Sequence, residues 1–119
     1  MTNETQLQLL QERYIFRHDA EVKHFLREHP FLTQLLLDTY SKIKAHFPDA
    51  QVFLEVATDY EAFDHISGVM SSDKELVASI STHLPPEEAI EALHEFYDDW
   101  WLKALEKARG KISFGLEFV

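Results

Sequence analysis

Hydrophobic residues change their spacing at Pro48-Asp49, where a helical pattern gives way to an alternating one. Before this point, large apolar side chains recur every three or four positions from Phe31 to Phe47, which predicts a helix. After it, residues 51–58 alternate aliphatic side chains with a mixed set that includes Glu55, which predicts a half-buried strand. A chain with both periods has to pack helices on a sheet, so the pattern predicts an α+β protein.

The rest of the chain extends this pattern to the element order α-(α)-β-β-α-β. The first stretch, residues 3–27, is predicted to be either one helix or two helices with a bend, the second capped by Asp19. A long hairpin loop is expected over residues 59–74. Further strands are predicted over residues 75–82 and 111–119, and a helix over residues 86–108. We therefore expect one domain, residues 1–119, with a small three-stranded sheet and helices packed mainly on one face.

Charge and composition exclude several classes of function. The 21 acidic and 11 basic residues give a formal net charge of −10, which opposes binding to a phosphate backbone and makes nucleic acid an unexpected partner. The sequence has no Cys and so offers no disulfide, thiol nucleophile or thiolate zinc site. It also has neither a signal-peptide pattern at its start nor an apolar run of about 20 residues. We expect a cytoplasmic protein with no membrane partner.

The loop over residues 59–65 is the best candidate for a metal site. It places three carboxylates and one imidazole close together in the chain, namely those of Asp59, Glu61, Asp64 and His65. The calcium-loop pattern fails at two diagnostic positions, because Phe63 stands where a ligand is needed and Asp64 where Gly is needed. The alternative is a solvated loop in which Asp residues form turns. No cofactor is expected.

An enzyme is the less favoured interpretation. Asp59 followed by Glu75-Leu76-Val77 resembles in outline the metal-dependent nucleases of the PD-(D/E)xK type, but Val77 stands where that pattern has Lys. Without this Lys, the cation that would orient or activate the attacking water is missing. A metal-dependent hydrolase or nuclease-like enzyme that uses the 59–65 loop therefore remains an alternative, and we assign no catalytic residue.

The helix over residues 86–108 is the most informative part of the sequence. One arc is apolar and the opposite face carries a dense acidic stripe, in which Leu102 projects among the charges. Two interpretations remain open: both Trp residues belong to the core and the acids keep the protein soluble, or Trp100 and Phe96 form an aromatic anchor rimmed by charge. The second predicts a partner-binding surface made of Phe96, Trp100, Leu102, Glu91, Glu95 and Asp99.

Two further binding modes remain open. The second face of the predicted sheet carries mostly small residues, so that face or an exposed strand edge could form a homodimer, unless a helix covers it. The wide aromatic arc of the last helix could instead form the wall of a pocket, which predicts a small-ligand-binding domain.

The stretch from Glu87 to Trp101, Glu-Glu-Ala-Ile-Glu-Ala-Leu-His-Glu-Phe-Tyr-Asp-Asp-Trp-Trp, and the strand that ends in Leu116-Glu117-Phe118 resemble a small bacterial protein family with no assigned activity. This resemblance covers about the C-terminal half and implies a real domain, but no catalytic residues. Our leading hypothesis is a cytoplasmic protein-interaction or regulatory module that presents an acidic, Trp-bearing helix to a basic partner protein.

Overall fold

A computed structural model of the chain describes residues 4–58, 63–64, 69–70 and 74–119. The helices are α1 (Glu4–Arg13), α2 (Asp19–Glu28), α3 (Phe31–His46), α4 (Pro86–Phe96) and α5 (Leu102–Ala108), and a π-helical turn (Tyr97–Trp101) joins α4 to α5. The strands are β1 (Ile15–Phe16), β2 (Gln51–Thr58), β3 (Phe63–Asp64), β4 (Val69–Met70), β5 (Lys74–Thr82) and β6 (Ile112–Phe118). The α+β class is therefore confirmed.

The main sheet has four strands in the order β1-β2-β5-β6, so the prediction of three strands was wrong. β2 and β5 are antiparallel, as expected for a hairpin, and within the connection β3 pairs with β4. β1 is parallel to β2, and β6 is parallel to β5. β1 escaped prediction because a strand of two residues is too short to show an alternating pattern.

The core lies on one face of this sheet. Along β5 the burial alternates strictly, with Leu76, Ala78 and Ile80 buried and their neighbours half-buried. The inward residues of β2 continue this face, and the buried side chains of the helices pack against it in one hydrophobic cluster. The opposite face, which we call the open face, carries half-buried residues of β2, β5 and β6: Phe53, Glu55, Ser79, Ser113, Gly115 and Glu117. Whether residues 1–119 form a single domain stays a prediction.

The first helical stretch is divided in two, as one of the two interpretations predicted. Tyr14 ends the turn after α1, and its hydroxyl donates a 2.7 Å hydrogen bond to the Leu36 carbonyl of α3. Burial raises the pKa of Tyr14 well above its usual value. Asp19 is the first residue of α2 and not its cap, because His18 occupies the N-cap position with a left-handed φ of 58°. The chain thus bends to place β1 on the sheet edge.

The π-helical turn sets which residues of the last helical stretch reach the core. The buried positions are Ala89, Phe96, Trp101, Ala104 and Ala108, and Phe96 and Ala104, on either side of the π turn, are eight residues apart. In a regular α-helix a spacing of eight rotates a side chain about 80° away from the preceding one. The π turn accommodates one extra residue, which brings both halves of the stretch back onto the same core. In a regular helix Ile90 would share one arc with Trp101 and Ala104, whereas Ile90 is 47% exposed and those two residues are buried.

Within the described residues, no helix is long and apolar enough to cross a membrane.

Candidate functional site

Four carboxylates lie in a row along the exposed side of α4 and the π turn. They belong to Glu87, Glu91, Glu95 and Asp99, which follow one another at spacings of four residues and are all exposed. Like charges at this spacing on a helix repel each other and cost about 0.2–0.5 kcal/mol per pair. Glu88 and Asp98 lie beside the row and are also exposed. We call these six residues together with Leu102 the acidic face.

The end of the row nearest the π turn has one partner. His46, in the last turn of α3, places Nε2 3.2 Å from Asp99 Oδ2 and Nδ1 3.9 Å from Glu95 Oε2. Its side chain is only 18% exposed, and its ring makes an edge contact with Phe96. Elsewhere on the acidic face, no carboxylate forms an ion pair with another part of the chain that the structure describes.

The two Trp residues have different surroundings. Trp101 is buried and meets Phe114 of β6 edge to face, with 4.6 Å between ring centres. Trp100 is half-buried against α3: its indole N–H donates a 2.9 Å hydrogen bond to Thr39 Oγ1, and Lys42 Nζ lies 5.5 Å from its ring centre. Trp100 therefore lies at the margin of the acidic face, with its polar atom already bonded inside the protein.

Phe96 was expected to share an aromatic anchor with Trp100, but it is fully buried. Its ring packs against Phe114 with 5.2 Å between centres. A partner cannot touch it in this conformation, so this part of the predicted surface needs correction. The reason is the change of helical phase at the π turn, which turns Phe96 into the core.

Leu102, and not Phe96, is the exposed apolar residue of this surface. It is 56% exposed, lies directly after the π turn, and has Leu105, 47% exposed, one turn further along α5. Basic residues enter the helix only at Lys103 and Lys107. The predicted residues Glu91, Glu95, Asp99 and Leu102 are thus all exposed on the same helical stretch.

The open face holds acids in a different way. Arg17 follows β1 and reaches over the sheet, where its guanidinium binds both oxygens of Glu117 at 2.5 and 2.7 Å. It also lies 3.7 Å from Glu55 and 4.2 Å from the ring centre of Phe53. The hydrogen bond with Arg17 lowers the pKa of the Glu117 carboxyl and raises that of Arg17. Two carboxylates of the open face, those of Glu55 and Glu117, therefore share one guanidinium.

The predicted metal ligands lie outside the described residues, since Asp59, Glu61 and His65 are not described and nothing is shown of the Asp64 side chain. Glu75, which the nuclease-like interpretation requires, accepts a 3.3 Å hydrogen bond from Ser113 on the open face. In the part of the chain that is described, no group of three or more His, Asp or Glu side chains is placed to hold a metal ion. The metal site stays a prediction.

For a small ligand, the structure offers a cleft on a different surface from the predicted one. It has a volume of about 340 Å³ and lies between α2 and the ends of β2 and β5, lined among others by His24, Phe25, His29 and Lys74. His24 pairs with Glu28, and His29 stacks on Phe25 and contacts its carbonyl oxygen. Both imidazoles thus have partners in α2, and the other charged groups that line the cleft are those of Glu21, Glu28, Lys74 and Lys111.

Two residues that organise these surfaces were missed by the sequence analysis. Arg17 and His46 lie far along the chain from the acids that they contact, Glu117 and Asp99. Their contacts depend on the strand order and on how α3 packs beside the π turn, and neither is encoded in local spacing.

No family model matches the chain, and neither a curated protein nor a solved structure matches it.

Proposed function

We propose that the chain is a protein-interaction module whose acidic face binds a basic segment of a partner protein. The observation that supports this most is the unbroken row from Glu87 to Asp99, followed directly by exposed Leu102. Charge complementarity supplies specificity and a fast encounter, and an apolar side chain among the charges supplies an anchor that loses its water on binding.

The row costs the free protein stability, which favours a role for it outside the fold. Glu91 has a like charge one turn before it, on Glu87, and another one turn after it, on Glu95. Only Glu87 and its neighbour Glu88 lie in the first turn, where negative charge is favourable against the helix dipole. A cationic partner would convert this repulsion into attraction.

The contact between His46 and the row supports one side of the row as the side that a partner would meet. Because His46 approaches from α3, Glu95 and Asp99 are shielded on that side and open on the other. Trp100 and Lys42 lie on the same α3 side. The partner is therefore expected along the line from Glu91 to Leu102, away from α3, and a cytoplasmic setting stays part of the proposal.

The test compares matched variants of the full chain in capture from host lysate. Glu91→Lys changes an exposed carboxylate of the acidic face, and Glu21→Lys makes the same charge change at an exposed carboxylate of α2. Leu102→Ser and Leu9→Ser form a second pair, since Leu9 is 36% exposed on α1. We expect Glu91→Lys and Leu102→Ser each to weaken capture about threefold to tenfold, because both change the proposed contact surface, and we expect both controls to have no effect.

Equal losses with Glu91→Lys and Glu21→Lys would show that only net charge matters, and would overturn the proposal. If the Leu102→Ser variant captures the partner as fully as the wild-type chain does, Leu102 is not an anchor of the contact surface. Chemical-shift mapping with the captured protein provides an independent readout, with changes expected along α4, the π turn and α5 and not along α2.

A further inference from the structure

The outer edge of β6 is a long strand edge that nothing described in this chain pairs with. β6 runs over seven residues, and its only described sheet partner is β5. At the other end of the sheet, β1 has two residues, a length too short to recruit another strand. At that end β1 pairs only with Phe53 and Leu54 of β2, so the edge is interrupted, whereas the edge of β6 is continuous over seven residues.

The parallel pairing with β5 determines which backbone groups of β6 point outward. Leu76 N donates to the Lys111 carbonyl, and Val119 N donates to the Thr82 carbonyl, so residues 111 and 119 point toward β5. Because direction alternates along a strand, residues 113, 115 and 117 point toward β5 as well. The N–H and C=O groups that point to the free edge belong to Ile112, Phe114, Leu116 and Phe118.

The usual protections of a strand edge are absent from β6. Natural edges carry Lys, Pro, bulges or inward-pointing charges that stop a second chain from pairing. β6 contains neither Lys nor Pro, and its one charged residue, Glu117, is bound to Arg17 of the same chain. On the face covered by helices, Phe114 and Leu116 are half-buried and Phe118 is 51% exposed, so the helix layer leaves part of β6 uncovered.

We infer that β6 pairs antiparallel with β6 of a second copy of this chain, around a two-fold axis at Gly115. This register joins the four outward residues in four hydrogen-bonded pairs, two bonds each: Ile112 with Phe118, Phe114 with Leu116, and the two symmetric equivalents. A symmetric shift of the register leaves at least one outward residue of β6 without a partner. The two four-stranded sheets become one continuous sheet.

The side chains agree with the same register. On the open face, Glu117 comes opposite Ser113 of the second copy, and the two Glu117 carboxylates are separated by about 13 Å along the strands. A shift that brought Glu117 opposite itself would place like charges in direct contact, which is destabilising. At the axis, Gly115 faces its own copy, and a Cβ built on it meets nothing within 4 Å. On the other face, exposed Phe118 gains the apolar neighbour Ile112.

Residue-resolved amide exchange of the full chain, combined with sedimentation equilibrium from about 10 µM to about 1 mM, tests the pairing. We expect association to rise with concentration, together with slower exchange at the amides of Phe114 and Leu116. The amides of Ser113 and Gly115 already face β5 and should change less. A monomer throughout this range, or equal slowing at all four amides, overturns the inference.

Two Lys substitutions on the same face of β6 test the register. Gly115→Lys places two cations opposite each other across the axis, and should weaken association at least about fivefold. Ser113→Lys adds the same charge two residues away but faces Glu117 of the second copy, so association should stay equal or strengthen. Equal weakening by both variants overturns the register. Circular dichroism checks that both remain folded, which is expected because both positions lie on the half-exposed open face.

Discussion

The chain has two acidic surfaces, and they differ in how their charge is balanced. On the open face, Glu55 and Glu117 share the guanidinium of Arg17, which also lies over the ring of Phe53. On the acidic face, the row from Glu87 to Asp99 repeats the same charge, and within the described part of the chain only His46 forms an ion pair with it, at one end. The paired acids of the open face thus have a cation close to them, whereas most acids of the acidic face have no such partner among the described residues.

Glu55 and Glu117 on the open face serve the fold, whereas the fold does not need the acids of the acidic face. A carboxylate with a bidentate guanidinium stabilises the folded state, because the pair exists only when the strands are assembled. A carboxylate that faces other carboxylates destabilises the helix that carries it. Substitutions on the two surfaces should therefore change stability in opposite directions, and three measurements test this.

The largest effect is expected at Arg17. Arg17→Met keeps the apolar stem over Phe53 but leaves Glu55 and Glu117 without a cation, so the free energy of unfolding should fall by about 1–2 kcal/mol in urea denaturation. Screening keeps the loss this small, because the Arg17 and Glu117 side chains are 33% and 35% exposed. Arg17→Lys restores the positive charge but not the planar guanidinium, so its free energy of unfolding should lie between those of the wild-type chain and Arg17→Met. If Arg17→Met leaves the free energy of unfolding unchanged, the acids of the open face do not stabilise the fold through Arg17, and the two surfaces do not differ in this way.

A smaller effect is expected when the pH is lowered. Since Arg17 depresses the pKa of Glu117 below its ordinary value of 4.5, the pair contributes stability above that value. The contribution is lost as the pH falls through the depressed pKa and the folded carboxylate becomes protonated. The stability difference between the wild-type chain and Arg17→Met should therefore shrink below about pH 4, in urea titrations at stepped pH.

Glu117→Gln provides the control for this titration, because it removes the carboxylate whose pKa is lowered. In that background, Arg17→Met should give a difference in stability that depends less on pH. A difference that grows toward low pH in the wild-type background would assign the effect to another group.

The smallest effect, of opposite sign, is expected on the acidic face. Glu91→Gln removes a charge that is repelled by Glu87 and Glu95, so the free energy of unfolding should rise by about 0.3–0.5 kcal/mol at low salt. The gain should disappear at high salt, where surface charges are screened. Glu4→Gln, which removes a carboxylate in the first turn of α1 that pairs with Arg27, should instead lose a little stability. A loss of stability in Glu91→Gln would show that this acid serves the fold.

Local spacing predicted the elements whose side chains repeat often enough to reveal a period. The sixteen-residue α3 and the strands β2, β5 and β6 were of this kind. β1 was missed because its two residues show no period and are held by the sheet, through pairing with β2. Strand order could not be predicted from local spacing either, because it depends on contacts between distant parts of the chain.

The exposure of most residues of the candidate site agrees with the sequence pattern, and the burial of Phe96 does not. The acids and Leu102 were expected opposite the apolar arc, and they are exposed. Phe96 and Ile90 were exchanged between core and surface, since a regular helix was assumed across Tyr97–Trp101. Apart from the two adjacent Trp residues, no feature of the local sequence indicates the extra residue of the π turn.

This extra residue also affects how the chain should be compared with others. A protein of the same fold with a regular α-helix in place of the π turn would need one residue fewer between Phe96 and Ala104, a spacing of seven in place of eight. An alignment without a gap would then match core positions to surface positions over all of α5. A single-residue gap placed within Tyr97–Trp101 would align Ala104 and Ala108 with the equivalent core positions of such a protein. A sequence comparison that penalises this gap would underestimate the similarity of the two chains across the C-terminal half.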